Sequence, residues 1–139
     1  MRKFMWIAGM FQFVVALVLA APAVAQQSPY TITVPFPFHV NAQVLPAGEY
    51  RVSIVSPGAV RLYGIDHIAD TAFAAYTRSR SSQESRIGSL VFHRYGRQYF
   101  LAQVWFSDAD AGYELYTSSD EREYARRNPS LETVLRAAK

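Results

Sequence analysis

Residues 30–40 alternate without a break. Tyr30, Ile32, Val34, Phe36, Phe38 and Val40 are separated by Thr31, Thr33, Pro35, Pro37 and His39. Side chains of a strand point to opposite faces in turn, so the pattern specifies a strand with one buried face. Proline brings no backbone N–H to a ladder, and two of them on the outward side place this strand at a sheet edge. Such a strand has to find partners further along the chain.

The partners are legible downstream. Leu45-Pro46-Ala47-Gly48 reads as a turn, with φ preset by Pro46 and a glycine to follow it. Tyr50, Val52 and Ile54 then face inward, with Arg51 and Ser53 outward, and Ser56-Pro57-Gly58 turns the chain into a short strand through Val60 and Leu62. Thr71–Thr77 is a fourth strand, followed by a polar loop over residues 78–86. Ser89–Tyr95 and Gln98–Phe106 flank Gly96-Arg97 as a hairpin. The second arm sets Phe100, Ala102, Val104 and Phe106 on one face and Tyr99, Leu101 and Trp105 on the other, the signature of a strand covered on both sides.

Residues 108–112 turn again. Ser118 has capping-box spacing to Glu121, Asp120 and Glu121 suit a first helical turn, and Arg126 and Arg127 suit the last before Pro129. This spacing predicts a two-turn helix from Asp120 to Arg127. Leu131, Val134, Leu135 and Ala138 have helical spacing, whereas Thr133-Val134-Leu135 suits a closing strand, the assignment preferred here. Six or seven short strands without βαβ alternation give an all-β domain. The expected architecture is a small antiparallel β-sandwich or partly open barrel with one short helix near the C-terminus.

The N-terminus is of another kind. Met1-Arg2-Lys3, an apolar stretch from Phe4 to Ala21 and Ala23-Val24-Ala25 are the three parts of a signal peptide. Its strongest apolar run, Phe13–Ala21, would reach about 13 Å as a helix, against a hydrocarbon core of about 30 Å. The expected division is a signal peptide over residues 1–25 and a single β-rich domain over 26–139, exported to the periplasm or beyond. An uncleaved segment anchored in the inner membrane is the alternative. Cleavage would lower the formal charge from +3 to +1, since Arg2 and Lys3 leave with the signal and no acid does. A nearly neutral domain offers nucleic acid no concentrated basic surface. No later segment approaches spanning length, so the cleaved chain is expected to have no membrane span. The chain contains no cysteine, which excludes disulfides, thiol nucleophiles and thiolate metal sites.

Several residue sets in order resemble one family. They are Phe36-x-Phe38-x-Val40, Leu45-Pro46-Ala47-Gly48-Glu49-Tyr50, the block from Leu90 to Trp105, Gly112-x-Glu114-Leu115 and Glu121-Arg122-Glu123. Together they resemble a group of small exported hypothetical proteins common in acidobacterial genomes. The Phe92–Trp105 block is the most specific part. Where that group usually carries a Lys-Ser pair before the acidic helix, this chain has Thr117-Ser118-Ser119. The resemblance implies an exported domain and carries over no activity, cofactor or catalytic residue.

Candidate chemistry is sparse. His39, His67 and His93 share no metal-site spacing and fit surface or cross-strand packing. Asp66 could orient His67 only if their turn folds back, because neighbours in a strand face apart. Asp108-x-Asp110-x-Gly112-x-Glu114 has the alternate carboxylates of a calcium loop, but its glycine comes one residue early and Ser119 stands where the closing glutamate belongs. Those carboxylates also suit a hydrolytic acid–base pair. Arg78, Arg80 and Arg86, joined by Arg94 and Arg97, suit either a solvated surface or a patch for anionic glycans or a partner. Among the clustered aromatics, Tyr95 and Tyr99 beside the hairpin turn fit cross-strand packing or a carbohydrate platform, with Tyr113 and Tyr116 near them.

The expected function is therefore an exported, non-enzymatic binding or structural module of the cell envelope. No catalytic, cofactor or metal residue is assigned, and the expected partner is an envelope protein or a glycan. A small-ligand carrier with an aromatic-lined pocket is the alternative, and a secreted hydrolase ranks after it.

Overall fold

A computed structural model describes residues 27–79, 87–107 and 111–137. The predicted signal segment, the loop arginines Arg80 and Arg86, and the acids Asp108 and Asp110 lie outside the described residues. Ten strands and one helix follow in chain order: β1 (Tyr30–Val34), β2 (Phe38–Val40), β3 (Gln43–Leu45), β4 (Gly48–Ser56), β5 (Ala59–Gly64), β6 (Asp70–Ser79), β7 (Ser89–Tyr95), β8 (Gln98–Trp105), β9 (Ala111–Leu115), α1 (Ser119–Arg127) and β10 (Ser130–Arg136). The fold is all-β, with its helix near the C-terminus.

The strands form one mixed sheet. The path runs β1-β4-β5-β6-β9-β8-β2-β3, and β8 also pairs with β7, which carries β10. Every pairing is antiparallel except β2 on β8, where His39 lies beside Phe100. The sheet curls without closing. β1 approaches β10 with no ladder between them, and the Tyr30 hydroxyl donates to Ser89 O at 3.0 Å.

The continuous alternation from Tyr30 to Val40 is interrupted in space. Pro35 and Pro37 end β1 after Val34, and the chain resumes as β2 with different neighbours. The edge assignment holds for β1, which terminates the sheet, but β2 lies between β3 and β8. β3 is an added strand. It follows β2 through Asn41, whose φ of 53° is one that asparagine tolerates better than most residues. β9 is a second addition and fills the gap between β6 and β8. The helix and the closing strand appear where the sequence puts them.

Inward positions make one core. Val34, Phe38, Tyr50, Val52, Val60, Leu62, Leu90, Phe92, Val104 and Phe106 are wholly buried and contiguous. The two-sided burial of β8 arises differently from the simple alternation. Val91 pairs with Gln103 but Phe92 with Leu101, so Ala102 is an extra residue and the alternation reverses there. Leu101, Val104 and Phe106 consequently share the main core, whereas Phe100 and Trp105 are buried outside it. Phe100 lies against Tyr124 of α1, with ring centroids 5.5 Å apart. The Trp105 ring lies where a Cβ on Gly112 would meet its Cδ2 at 2.6 Å.

Candidate functional site

The outward positions of β4, β5, β6 and β9 build one broad face. Register sets Arg51 opposite Tyr63, Ser53 opposite Arg61, Tyr63 opposite Asp70, and Tyr76 opposite Glu114. The Arg61 guanidinium grips Asp70 as a fork, with Nε donating to Oδ1 at 2.7 Å and Nη2 to Oδ2 at 2.5 Å. The fork lowers the Asp70 pKa and raises that of Arg61. It also parks the guanidinium 5.7 Å from the centre of the Tyr63 ring, within cation–π range. Arg51, Ser53, Arg61 and Tyr63 line a shallow hollow of about 280 Å³. Arg51 is exposed and has no polar partner among the described residues.

Beyond exposed Ala72 and Ala74, Tyr76 and Tyr116 meet with ring centroids 5.2 Å apart. Arg78 Nη1 donates to Glu114 Oε2 at 2.7 Å beside them. The Tyr76 pKa is raised, first by partial desolvation and then by its hydrogen bond to Glu114. Tyr63, Tyr76 and Tyr116 are 49%, 42% and 63% exposed, so the face presents aromatic rings to solvent. The tyrosines beside the hairpin turn follow the packing reading: Tyr95 is buried, and Tyr99 stacks on Phe36 at 3.7 Å.

On the other limb of the sheet, α1 covers β7 and β8 with a polar cluster. Ser118 caps the helix by accepting from Glu121 N at 3.1 Å. The Glu121 side chain, only 5% exposed, turns to the sheet. Its Oε1 accepts from the Tyr95 hydroxyl at 3.0 Å and lies 2.8 Å from His93 Nδ1. That carboxylate raises the His93 pKa against the opposing effect of burial. The Tyr95 phenol is pushed up to about 12, by burial first and then by Glu121. His39 stacks on Phe100 at 4.2 Å and donates from Nε2 to Gln98 Oε1 at 2.9 Å. These polar groups satisfy one another, which makes the cluster a clamp for the helix.

The turn carrying His67 does fold back. Gly64 N donates to Ala69 O at 2.6 Å, and Asp66 Oδ1 contacts His67 Nδ1 while accepting from Glu49 N at 3.3 Å. These bonds, the imidazole's first, lower the Asp66 pKa. The ring lies over Gly48 and Gly64 and edge-on to Tyr50, whose hydroxyl donates to Pro46 O at 2.5 Å. Burial, reinforced by Asp66, pushes the Tyr50 phenol up to about 12. The Leu-Pro-Ala-Gly-Glu-Tyr turn is thus the seat of an imidazole.

Of the arginines weighed between a solvated surface and a patch, two of the described ones have local partners. Arg78 belongs to Glu114, while Arg94 donates to Gly96 O at 2.7 Å and lies 5.6 Å from the Tyr99 ring centre. Of the acidic loop, Glu114 is held by Arg78 and Gly112 lies under Trp105. Among the described residues no group of three or more His, Asp or Glu is placed to hold a metal ion. No helix among them is long and apolar enough to cross a membrane. Sequence reasoning missed the Arg51–Arg61–Tyr63 grouping, although its signal was present as cations between inward apolar residues. No family model, curated protein or solved structure matches this chain.

Proposed function

We propose that the chain is an exported, non-enzymatic β-domain that works as a binding module of the cell envelope, in the periplasm or outside the cell. The observation that carries this reading is the outer face of β4, β5, β6 and β9, where Tyr63, Tyr76 and Tyr116 stand exposed among small and charged residues. Half-exposed tyrosines combine apolar area with a polar tip, a combination that suits recognition of a glycan or a protein surface. The Met1-Arg2-Lys3 start, the apolar run and Ala23-Val24-Ala25 support export.

The test is retention on isolated envelope fragments. The protein should sediment with them, and a combined Tyr63→Ser, Tyr76→Ser, Tyr116→Ser variant with parental melting should stay in the supernatant. Equal retention of the two would refute this face as the binding surface. N-terminal sequencing of the protein from its native envelope should begin at Gln26. A start at Met1 would replace the cleaved form by an anchored one.

A further inference from the structure

We propose that the hollow between Arg51, Ser53, Arg61 and Tyr63 seats one acidic sugar residue, a uronate, of an envelope glycan. The proposal rests on the binding-module reading and names the ligand class for it. Four features of the hollow carry it.

Charge is the first. Arg51, Arg61 and Asp70 leave one net positive charge, and Arg51, which has no polar partner among the described residues, is its source. A guanidinium presents two parallel N–H groups to a carboxylate, a geometry that lysine lacks. Preorganisation is the second. Asp70 engages Nε and Nη2 of Arg61, which leaves both Nη1 hydrogens for an incoming oxygen at a cation already fixed in place. Size is the third. A volume of about 280 Å³ lies just below the range of ligand pockets, about 300–1,000 Å³, and so fits a single ring better than an extended molecule.

The fourth feature separates a sugar from a bare anion or an acidic peptide. Tyr63 lines the hollow and is 49% exposed, with the Arg61 guanidinium over its ring, and Ser53 supplies a hydroxyl across from Arg61. A sugar ring offers C–H groups to the aromatic and hydroxyls to Ser53 in addition to its carboxylate. A protein partner draws its affinity from apolar anchors in deep pockets, and this shallow hollow is flanked by Ala59 and Ala72.

Calorimetric titration of the full-length protein with tetra-galacturonate, its neutral methyl ester, acetate and tetra-glutamate separates these sources. The acidic tetrasaccharide should bind at least about tenfold more tightly than each of the other three, the discrimination expected of a charge-assisted pair. Arg51→Gln and Tyr63→Ser should each weaken it about fivefold or more, with unchanged melting temperature. Arg122→Gln, on the exposed side of α1, should not. Equal affinity for the methyl ester, for acetate or for tetra-glutamate overturns the assignment, as does wild-type affinity in Arg51→Gln. If tetra-galacturonate fails to bind while the protein still sediments with envelope fragments, the uronate is wrong and the binding module stands.

Discussion

Glu121 and His93 meet across the interface between α1 and β7, with 2.8 Å between Oε1 and Nδ1, and the Tyr95 hydroxyl donates to the same oxygen at 3.0 Å. One buried carboxylate therefore holds the helix to two side chains on one strand. Apart from Tyr124, whose ring packs against Phe100, the rest of α1 has little to contribute. Its exposed pairs of Glu123 with Arg126 and Arg127 are of a kind worth about 0–1 kcal/mol each.

Removing this carboxylate should undock the helix. Glu121→Ala leaves the Tyr95 hydroxyl and the His93 N–H without their acceptor in a largely dry site, at a cost of about 2–4 kcal/mol. Glu121→Gln keeps an acceptor and should lose less. Hydrogen exchange should locate the damage: amides of α1 exchange faster in Glu121→Ala, while those of β4 and β5 keep their parental rates. Uniform exchange throughout α1 in parent and variant would show that other contacts hold the helix.

The same pair makes stability depend on pH. The His93 pKa is raised above its ordinary value of 6.5, chiefly by the Glu121 hydrogen bond. The folded state therefore binds the proton more tightly than the unfolded chain does. The stabilisation from protonated His93 is fully present below pH 6.5 and is lost as pH rises through the raised folded value. His93 is partly exposed, so solvent screening keeps the effect modest. An NMR titration of the three imidazoles should find the His93 midpoint raised in the parent and back toward 6.5 in Glu121→Gln. A midpoint unchanged by that substitution would remove the electrostatic link.

Alternation located most strands and misled where the backbone is irregular, as between Val34 and Phe38. Val60 and Leu62 were legible because every second residue of β5 faces the core. Phe100 was legible as buried but not as facing away from the main core, because one extra residue at Ala102 reverses the faces of β8 and no local composition announces a bulge. β9 was hidden by Gly112 and Glu114, which read as a loop until Trp105 is seen to occupy the space over the glycine. The capping-box spacing of Ser118 and Glu121 located the helix correctly. It also suggested a local use for a carboxylate that is employed 28 residues away, on His93. Long-range pairing leaves no periodic trace, and the same holds for the grouping of Arg51, Arg61 and Tyr63.

Trp105 offers a sharper comparison. It is 4% exposed although it lies outside the main core, and its Nε1 donates to Gln103 Oε1 at 3.0 Å. Truncation of a buried tryptophan costs about 3–5 kcal/mol, a large share of the ~5–15 kcal/mol that stabilises an ordinary domain. Trp105→Ala should therefore lower the melting temperature steeply, whereas Tyr116→Ala, 63% exposed, should leave it nearly unchanged. Thermal unfolding of both variants beside the parent is the measurement. Parental melting of Trp105→Ala would show the indole to be dispensable to the fold.

The glycines beneath His67 should respond to substitution differently. A Cβ on Gly48 would lie 2.5 Å from His67 Cε1 and 3.0 Å from Asp66 Oδ1, all side-chain atoms that can move. A Cβ on Gly64 would meet His67 Nε2 at 2.8 Å and the backbone oxygen of His67 at the same distance. Overpacking of this kind costs about 1–3 kcal/mol, so each Gly→Ala change alone should destabilise the protein. Removing the imidazole separates them. In a double-mutant cycle His67→Ala should relieve part of the Gly48→Ala penalty, only part because Gly48 holds φ at +157°. The same change should relieve Gly64→Ala far less, because the opposing carbonyl stays where it is. Chemical denaturation of the three single and two double variants beside the parent gives the coupling energies directly. Equal rescue at both glycines would mean that the bend over residues 65–68 yields to a methyl group, and that the imidazole alone accounts for both penalties.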